Sequence, residues 1–230
     1  MTILAIETAS NVCGVALVFG DKVVQEVSIN EKYVHAEMLM RQVDTVLEQS
    51  HCRFEQVDGI AVSIGPGSFT GLRIGLSVAK GLSFAWDKRL VPVPTLFALA
   101  RKATDAGVAK DGDHILAALD ARRDEVYAQF FEIANGQVSP LADPAGLPVS
   151  GLRERAPGGR TWVTGDARTK LAELLADHAR EWVFVSSDLA ACSAGSVGML
   201  GTMMIERTGF SALSALEPLY IKDVHITRPS

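Results

Sequence analysis

The stretch with the greatest chemical potential is Gly65-Pro-Gly-Ser-Phe-Thr-Gly71, set between an apolar run and a helical pattern. Glycines let the backbone turn sharply, and the free N–H groups at the start of the next helix attract anions. Gly65, Gly67, Ser68, Thr70 and Gly71 are therefore the candidate anion- or nucleotide-facing residues. The spacing matches neither common phosphate signature. No lysine follows Gly71, and the third glycine falls one place late for G-x-G-x-x-G. The competing reading is a tight strand-to-helix turn with Ser68 as the cap. Two further segments carry charge. Glu7-Thr-Ala-Ser-Asn-Val-Cys13 offers a single carboxylate, Glu7, and its neutral Asn11 is a poor magnesium ligand. Asp120-Ala-Arg-Arg-Asp-Glu-Val-Tyr127 mixes both signs, and reads either as a contact patch at the mouth of a cleft or as a solvated hairpin turn.

Other chemistries find no support. His35, His51, His114, His178 and His225 form no H-x-x-x-H or H-E-x-x-H pair, and His35-Ala-Glu37 lacks the P-C-x-x-C that a zinc deaminase needs. G-x-S-x-G does not occur. Cys13, Cys52 and Cys192 are far apart and odd in number, which fits reduced thiols rather than disulfides or a zinc knuckle. No metal ligands and no cofactor are expected.

Bulk properties narrow the class. A chain of 230 residues, 48% hydrophobic and 21% charged, can build one large or two small globular domains. No apolar run approaches the ~20 residues of a membrane span, and the glycine-rich Gly195–Ile205 is the best that exists. The N-terminus lacks the basic lead of a signal peptide, so a cytoplasmic protein is expected. A net charge of −5 argues against a free-standing nucleic-acid binder.

The elements that must position these residues follow from periodicity. Ile3–Thr8, Gly14–Phe19 and Val23–Ser28 read as strands, the last two joined at Gly20-Asp21. Val34–Ser50 reads as a helix with Leu39, Val43, Val46 and Leu47 on one stripe and Met38 off it. Gly59–Ile64 is a strand and Phe69–Trp86 a helix, apolar almost all round. Leu90–Val93 is a short strand ended by Pro92 and Pro94. Gly71, Gly75 and Ala79 recur every four residues and permit a backbone to approach, either the chain's own sheet or another protein. The plan then repeats. Ile115–Asp120, Glu125–Ile133 and Gln137–Leu141 are strands, with a turn at Asn135-Gly136. Leu141–Gly159 is a long surface loop or partly ordered segment. Thr161–Thr164 is a strand, Ala167–His178 a helix, Trp182–Val185 a strand and Ala194–Arg207 a helix. Two α/β domains with mixed sheets are expected, spanning 1–104 and 105–212, with a tail at 213–230.

Taken together, Leu4–Ser10, His35-Ala-Glu37, Gly65–Arg73 with Gly75 and Ala79-Lys-Gly81, Asp120–Tyr127 and Glu217-Pro-Leu-Tyr220 resemble the TsaB (YeaZ) family. That resemblance implies two ribonuclease H-like, actin-like domains of the actin, heat-shock ATPase and sugar kinase superfamily. It implies a non-catalytic partner of TsaD in the machinery that adds threonylcarbamoyl to adenosine beside the tRNA anticodon. TsaE would be a further member, tRNA would be met only indirectly, and the chain alone would form a homodimer. The alternative is a stand-alone ATPase, transferase or glycoprotease of the same superfamily. TsaD-like chains bind metal through H-x-x-x-H after the strand corresponding to Leu90–Val93. Here the matching positions are Thr95 and Leu99, and Asn11 stands where an Asp is usual. The resemblance also places the partner interface on the helices at 34–50 and 69–86, with Met38, Gly75, Val78 and Leu82 as candidate contacts.

Overall fold

Each half of the chain opens with an antiparallel meander that feeds a parallel layer. In the computed structural model, which describes residues 1–175, 182–211 and 216–221, the first half runs β1 (Thr2–Glu7), β2 (Val12–Phe19), β3 (Lys22–Asn30), α1 (His35–Gln49), β4 (Gly59–Gly65), α2 (Phe69–Trp86), β5 (Arg89–Pro94) and α3 (Thr95–Asp105). The second runs β6 (His114–Asp120), β7 (Glu125–Ala134), β8 (Gln137–Pro140), β9 (Ala145–Pro148), α4 (Leu152–Arg155), β10 (Thr161–Thr164), α5 (Arg168–Leu175), β11 (Trp182–Phe184), α6 (Ser187–Ala190) and α7 (Ala194–Thr208). The C-terminal end of the helix expected at Ala167–His178, and His225 with most of the tail, lie outside the described residues.

The two sheets have the same strand order, β3-β2-β1-β4-β5 and β8-β7-β6-β10-β11, with β9 added on β7. This is the duplicated, mixed α/β plan that the strand and helix patterns imply. The hairpins form where expected. Gly20 has φ +61°, and Asn135 and Gly136 have φ +54° and +68°, the left-handed values of tight hairpin turns.

Strands β1, β2 and β4 of the first sheet are buried on both faces. Leu4, Ile6, Val15 and Leu17 point to α1 and α2, while Ile3, Ala5, Ala16, Ala61 and Val91 point to α7 and Ala98 of α3. Helix α7 belongs by sequence to the half assigned to the second domain, yet it packs on the first sheet. A boundary drawn by chain order alone therefore does not describe the packing. The physical reason is small residues. A Cβ at Gly198 would lie 2.5 Å from Val18 Cγ2, and one at Gly201 would lie 2.8 Å from Ala61 Cβ.

Two other expectations change and one open alternative closes. Pro92 sits inside β5 rather than ending it, which an edge strand allows. Of the two readings of segment 141–159, the partly ordered one holds, since β9 pairs with β7 and Leu147, Val149 and Leu152 are buried. Helix α2 is not apolar all round. Thr70, Arg73, Ser77, Gly81 and Phe84 form an exposed stripe at i, i+3, i+7, i+11 and i+14.

The glycines of α2 separate cleanly. A Cβ on Gly75 would collide with the Thr8 hydroxyl and one on Gly71 with the Thr8 carbonyl, whereas nothing lies within 4 Å of a Cβ on Gly81. The variant Gly75→Leu is expected to lose about 1–3 kcal/mol through overpacking, while Gly81→Ala should gain up to about 1 kcal/mol of helix propensity. Denaturant unfolding of the two variants beside wild type checks both signs.

Candidate functional site

The carboxyl ends of β1, β4 and β6 carry the residues singled out from sequence. Glu7 ends β1 and is fully buried. Its Oε1 accepts the Ala9 N–H at 2.6 Å, and its Oε2 has no partner. Burial raises its pKa from an ordinary 4.5 to about 7, a rise helped by the charge of Glu26 and opposed by hydrogen bonds from Ala9 and Ser63. Around it stand Thr95, Leu99 and Lys102 of α3, and Cys192, Ser193 and Ser196 at the entrance to α7. The space they enclose is about 160 Å³ including its mouth, too narrow to seat a water molecule.

Among the described residues, the fully buried side-chain oxygens here without a partner are that one and the Thr8 hydroxyl. Lys102 Nζ donates to the carbonyls of Asp188 at 2.6 Å and Ala191 at 2.9 Å, and burial lowers its pKa. Ser193 caps α7 by accepting the Ser196 N–H at 3.2 Å, and its hydroxyl donates to Glu26 Oε1 at 3.1 Å. Cys192 is buried, and desolvation pushes its thiol well up, with the charges of Glu7 and Asp166 adding to the effect. That thiol is a packing group, not a nucleophile, because reactive cysteines need the opposite shift. Thr95 is buried and its Oγ1 accepts the Gly65 N–H at 3.1 Å, and Leu99 packs in the core under the second sheet. Asn11 is exposed. Among the described residues, no three His, Cys, Asp or Glu side chains come close enough to hold a metal ion.

The glycine-rich loop is engaged too. Ser68 caps α2 by accepting the Gly71 N–H at 3.2 Å, and its own N–H donates to the Ala9 carbonyl at 2.7 Å. A Cβ on Gly67 would collide with Ala9. Thr70 is exposed on α2. The loop thus seats the helix against the β1–β2 turn, the local role that a strand-to-helix turn implies.

The candidate interface residues divide. Gly75 faces Thr8 and Leu82 is buried in the first core, while Val78 is half-buried against that core and Met38 half-buried on α1. What sequence reasoning missed is the outward stripe centred on Ser77 and Gly81, whose signal was the same four-residue spacing shifted to the opposite side of the helix. Phe84 closes this stripe at 84% exposure, and Met40 and Trp86 are also exposed.

The Asp120–Tyr127 segment forms a hairpin turn. Asp120 Oδ1 accepts the Arg122 N–H at 2.7 Å and pairs with Lys170 at 2.5 Å. Lys170 also donates to the carbonyl of Arg123 at 2.7 Å. Arg122 and Arg123 hold positive φ, +68° and +47°, and both are exposed.

Comparison with known proteins follows this geometry. The family model described as TsaD, tRNA N6-adenosine threonylcarbamoyltransferase, matches residues 22–196. A Haemophilus influenzae "tRNA threonylcarbamoyladenosine biosynthesis protein TsaB" is 38% identical over 130 residues, 55% of this chain and 52% of the relative. The chain thus spans about half the length of that curated relative in the match. The solved structure "YeaZ from Pseudomonas aeruginosa" is 26% identical with TM-score 0.80, covering 95% of this chain and 99% of that one. A ROK hexokinase from Thermus thermophilus, at 10% identity and TM-score 0.52, covers 90% of this chain and 99% of its own, and shares the fold. The two domains therefore have the actin-like architecture of the sugar kinases.

The buried carboxyl generates a pH prediction. Its folded pKa lies above the unfolded value, so the stability it confers is complete below about 4.5 and is lost as pH rises through about 7. Over that window the loss is about 3 kcal/mol at 1.36 kcal/mol per unit. In Glu7→Gln this loss is absent. The stability of the variant relative to wild type should therefore rise between pH 4.5 and pH 8, as read from urea melts at each pH. A flat difference would show that Glu7 does not titrate in the fold.

Proposed function

The chain belongs to the TsaD family and, within it, to the TsaB (YeaZ) group, and from this premise we propose that it is a non-catalytic subunit that docks on TsaD in the assembly modifying adenosine next to the tRNA anticodon. The observation that carries this reading is the filled hollow at Glu7. A catalytic member of the fold needs room for substrate or metal at the carboxyl ends of its strands. Here Thr95, Leu99 and Cys192 occupy that room, and the polar groups beside them are spent on the chain's own backbone. The net charge of −5 adds support, since phosphate contacts to tRNA then fall to other subunits. TsaE is a further member of that assembly, and tRNA is met through the partners.

Docking runs through α1 and α2. Because Gly75 and Leu82 face inward, the contact centres on Gly81, with Ser77 and Phe84 beside it and Met40 on the neighbouring helix. Small side chains let a partner helix approach closely, and a large exposed aromatic suits the buried middle of an interface. The same face would pair two copies when TsaD is absent.

The decisive experiment mixes purified chain, TsaD, TsaE and unmodified tRNA with the small substrates, and quantifies modified adenosine by mass spectrometry. Product is expected from the full mixture and none from this chain alone. Turnover by the isolated chain would overturn the reading. In parallel, Gly81→Leu should keep its circular dichroism and melting behaviour yet fail to co-elute with TsaD. Co-elution at wild-type affinity would move the interface elsewhere.

A further inference from the structure

The strap of residues 216–221 runs alongside α2. Leu216 is buried in the first core, and the Leu219 N–H donates to the Ile64 carbonyl at 2.7 Å. Tyr220 then lies over the start of α2, its ring 5.2 Å from that of Phe69. Arg73 is held between them, 3.9 Å above the Phe69 ring, with its Nε donating to the Tyr220 hydroxyl at 2.9 Å. Fixing the stem and Nε of Arg73 leaves its two terminal nitrogens without an acceptor among the described residues. Lys80, seven residues on and so on the same face about 10 Å away, has no acceptor there either. Strap and helix border an open groove of about 370 Å³ that also meets Ser77. The acid lining it, Glu217, is not in ion-pair range of either cation.

We propose that the strap is a built part of the docking surface, and that the surface fits a partner helix that lays small or apolar side chains on Ser77 and Gly81 and places an Asp or Glu carboxylate between Arg73 and Lys80. Arg73 is exposed but pinned by the strap, and Lys80 is half-buried; neither pairs with an acid among the described residues, and an incoming carboxylate would meet both with charge-assisted hydrogen bonds. A second copy of this chain meets them poorly. A two-fold axis through Gly81 brings Lys80 beside Lys80. The inference rests on the proposed docking of α2 on TsaD and names the chemistry of that contact.

The test measures the affinity of the full chain for TsaD by titration calorimetry at low and high salt. Arg73→Ala and Lys80→Ala should each weaken binding about five- to tenfold at low salt and flatten its salt dependence. Tyr220→Phe, which keeps the ring and frees the guanidinium, should show a smaller loss of the same kind. Lys80 makes no hydrogen bond or ion pair to the strap among the described residues, so its variant decides the matter even where Arg73→Ala lowers the melting temperature. If Gly81→Leu abolishes binding while both cation variants keep wild-type affinity and salt slope, helix docking stands and the cationic socket falls. If Lys80→Ala strengthens self-association in sedimentation but leaves TsaD affinity unchanged, the occupant is a second copy and the proposal is wrong. If Gly81→Leu binds as wild type, the docking reading itself fails.

Discussion

The turn between β1 and β2 is short, polar and almost without bulk, and the rest of the molecule is arranged to hold it. Ser10 and Val12 offer their carbonyls to His35 Nε2 at 3.1 and 3.2 Å, so that nitrogen carries the proton. Ala9 accepts from Ser68 and donates to Glu7. Thr8 lies directly against the two inward glycines of α2. A backbone can be gripped from three sides only where the gripping elements lack side chains, which is why glycines cluster at 65–75. The same logic recurs in the second half. Gly165 holds φ +105° beside the Ala118 carbonyl, and Ala167 N–H donates to that carbonyl at 3.2 Å.

Holding the turn this tightly fixes Glu7, and what happens to Glu7 follows from what else reaches the same place. Helix α3 packs on both sheets, and α7 inserts its N-terminus beside the carboxylate. Water is squeezed out, and a group that elsewhere in this architecture would face a ligand becomes a buried acid with one oxygen unmatched. Its energetic cost falls on the fold, at neutral pH and above. Lys102 does not offset it by pairing, since its ammonium donates to the carbonyls of Asp188 and Ala191. The cleft is closed by ordinary packing.

Much of this was legible from sequence, and the failures are physical. The meanders, both hairpin turns and α2 follow from alternation, turn residues and the serine cap. Helix α3 was not assigned at all. It begins directly after Pro94 without a polar cap, and its stripe is partly alanine, so Leu96, Leu99, Ala100 and Ala103 give a weak signal. That omission hid how the cleft is filled, because Thr95, Leu99 and Lys102 all lie on it. The placement of α7 was also beyond reach, since periodicity shows that a face is apolar but not which sheet will cover it. The glycines of α2 were ambiguous for a different reason. Small residues every four positions occur on both of its faces, and only the buried run Leu72, Leu76, Ala79, Leu82 tells which set turns inward.

The last consideration concerns charge. A net of −5 belongs to the whole chain, whereas recognition is local. Exposed charges more than a Debye length apart, about 8 Å at physiological salt, hardly sense one another. A partner approaching α2 therefore meets Arg73 and Lys80, with Glu217 beside them, rather than the distant acids of the second domain. The strap sharpens this by removing freedom. An arginine stem pressed between Phe69 and Tyr220 has already lost much of its rotamer entropy, so less is lost when a carboxylate arrives. An acidic protein can in this way present one preorganised cationic contact, and present it beside the helix surface where small residues make close approach possible.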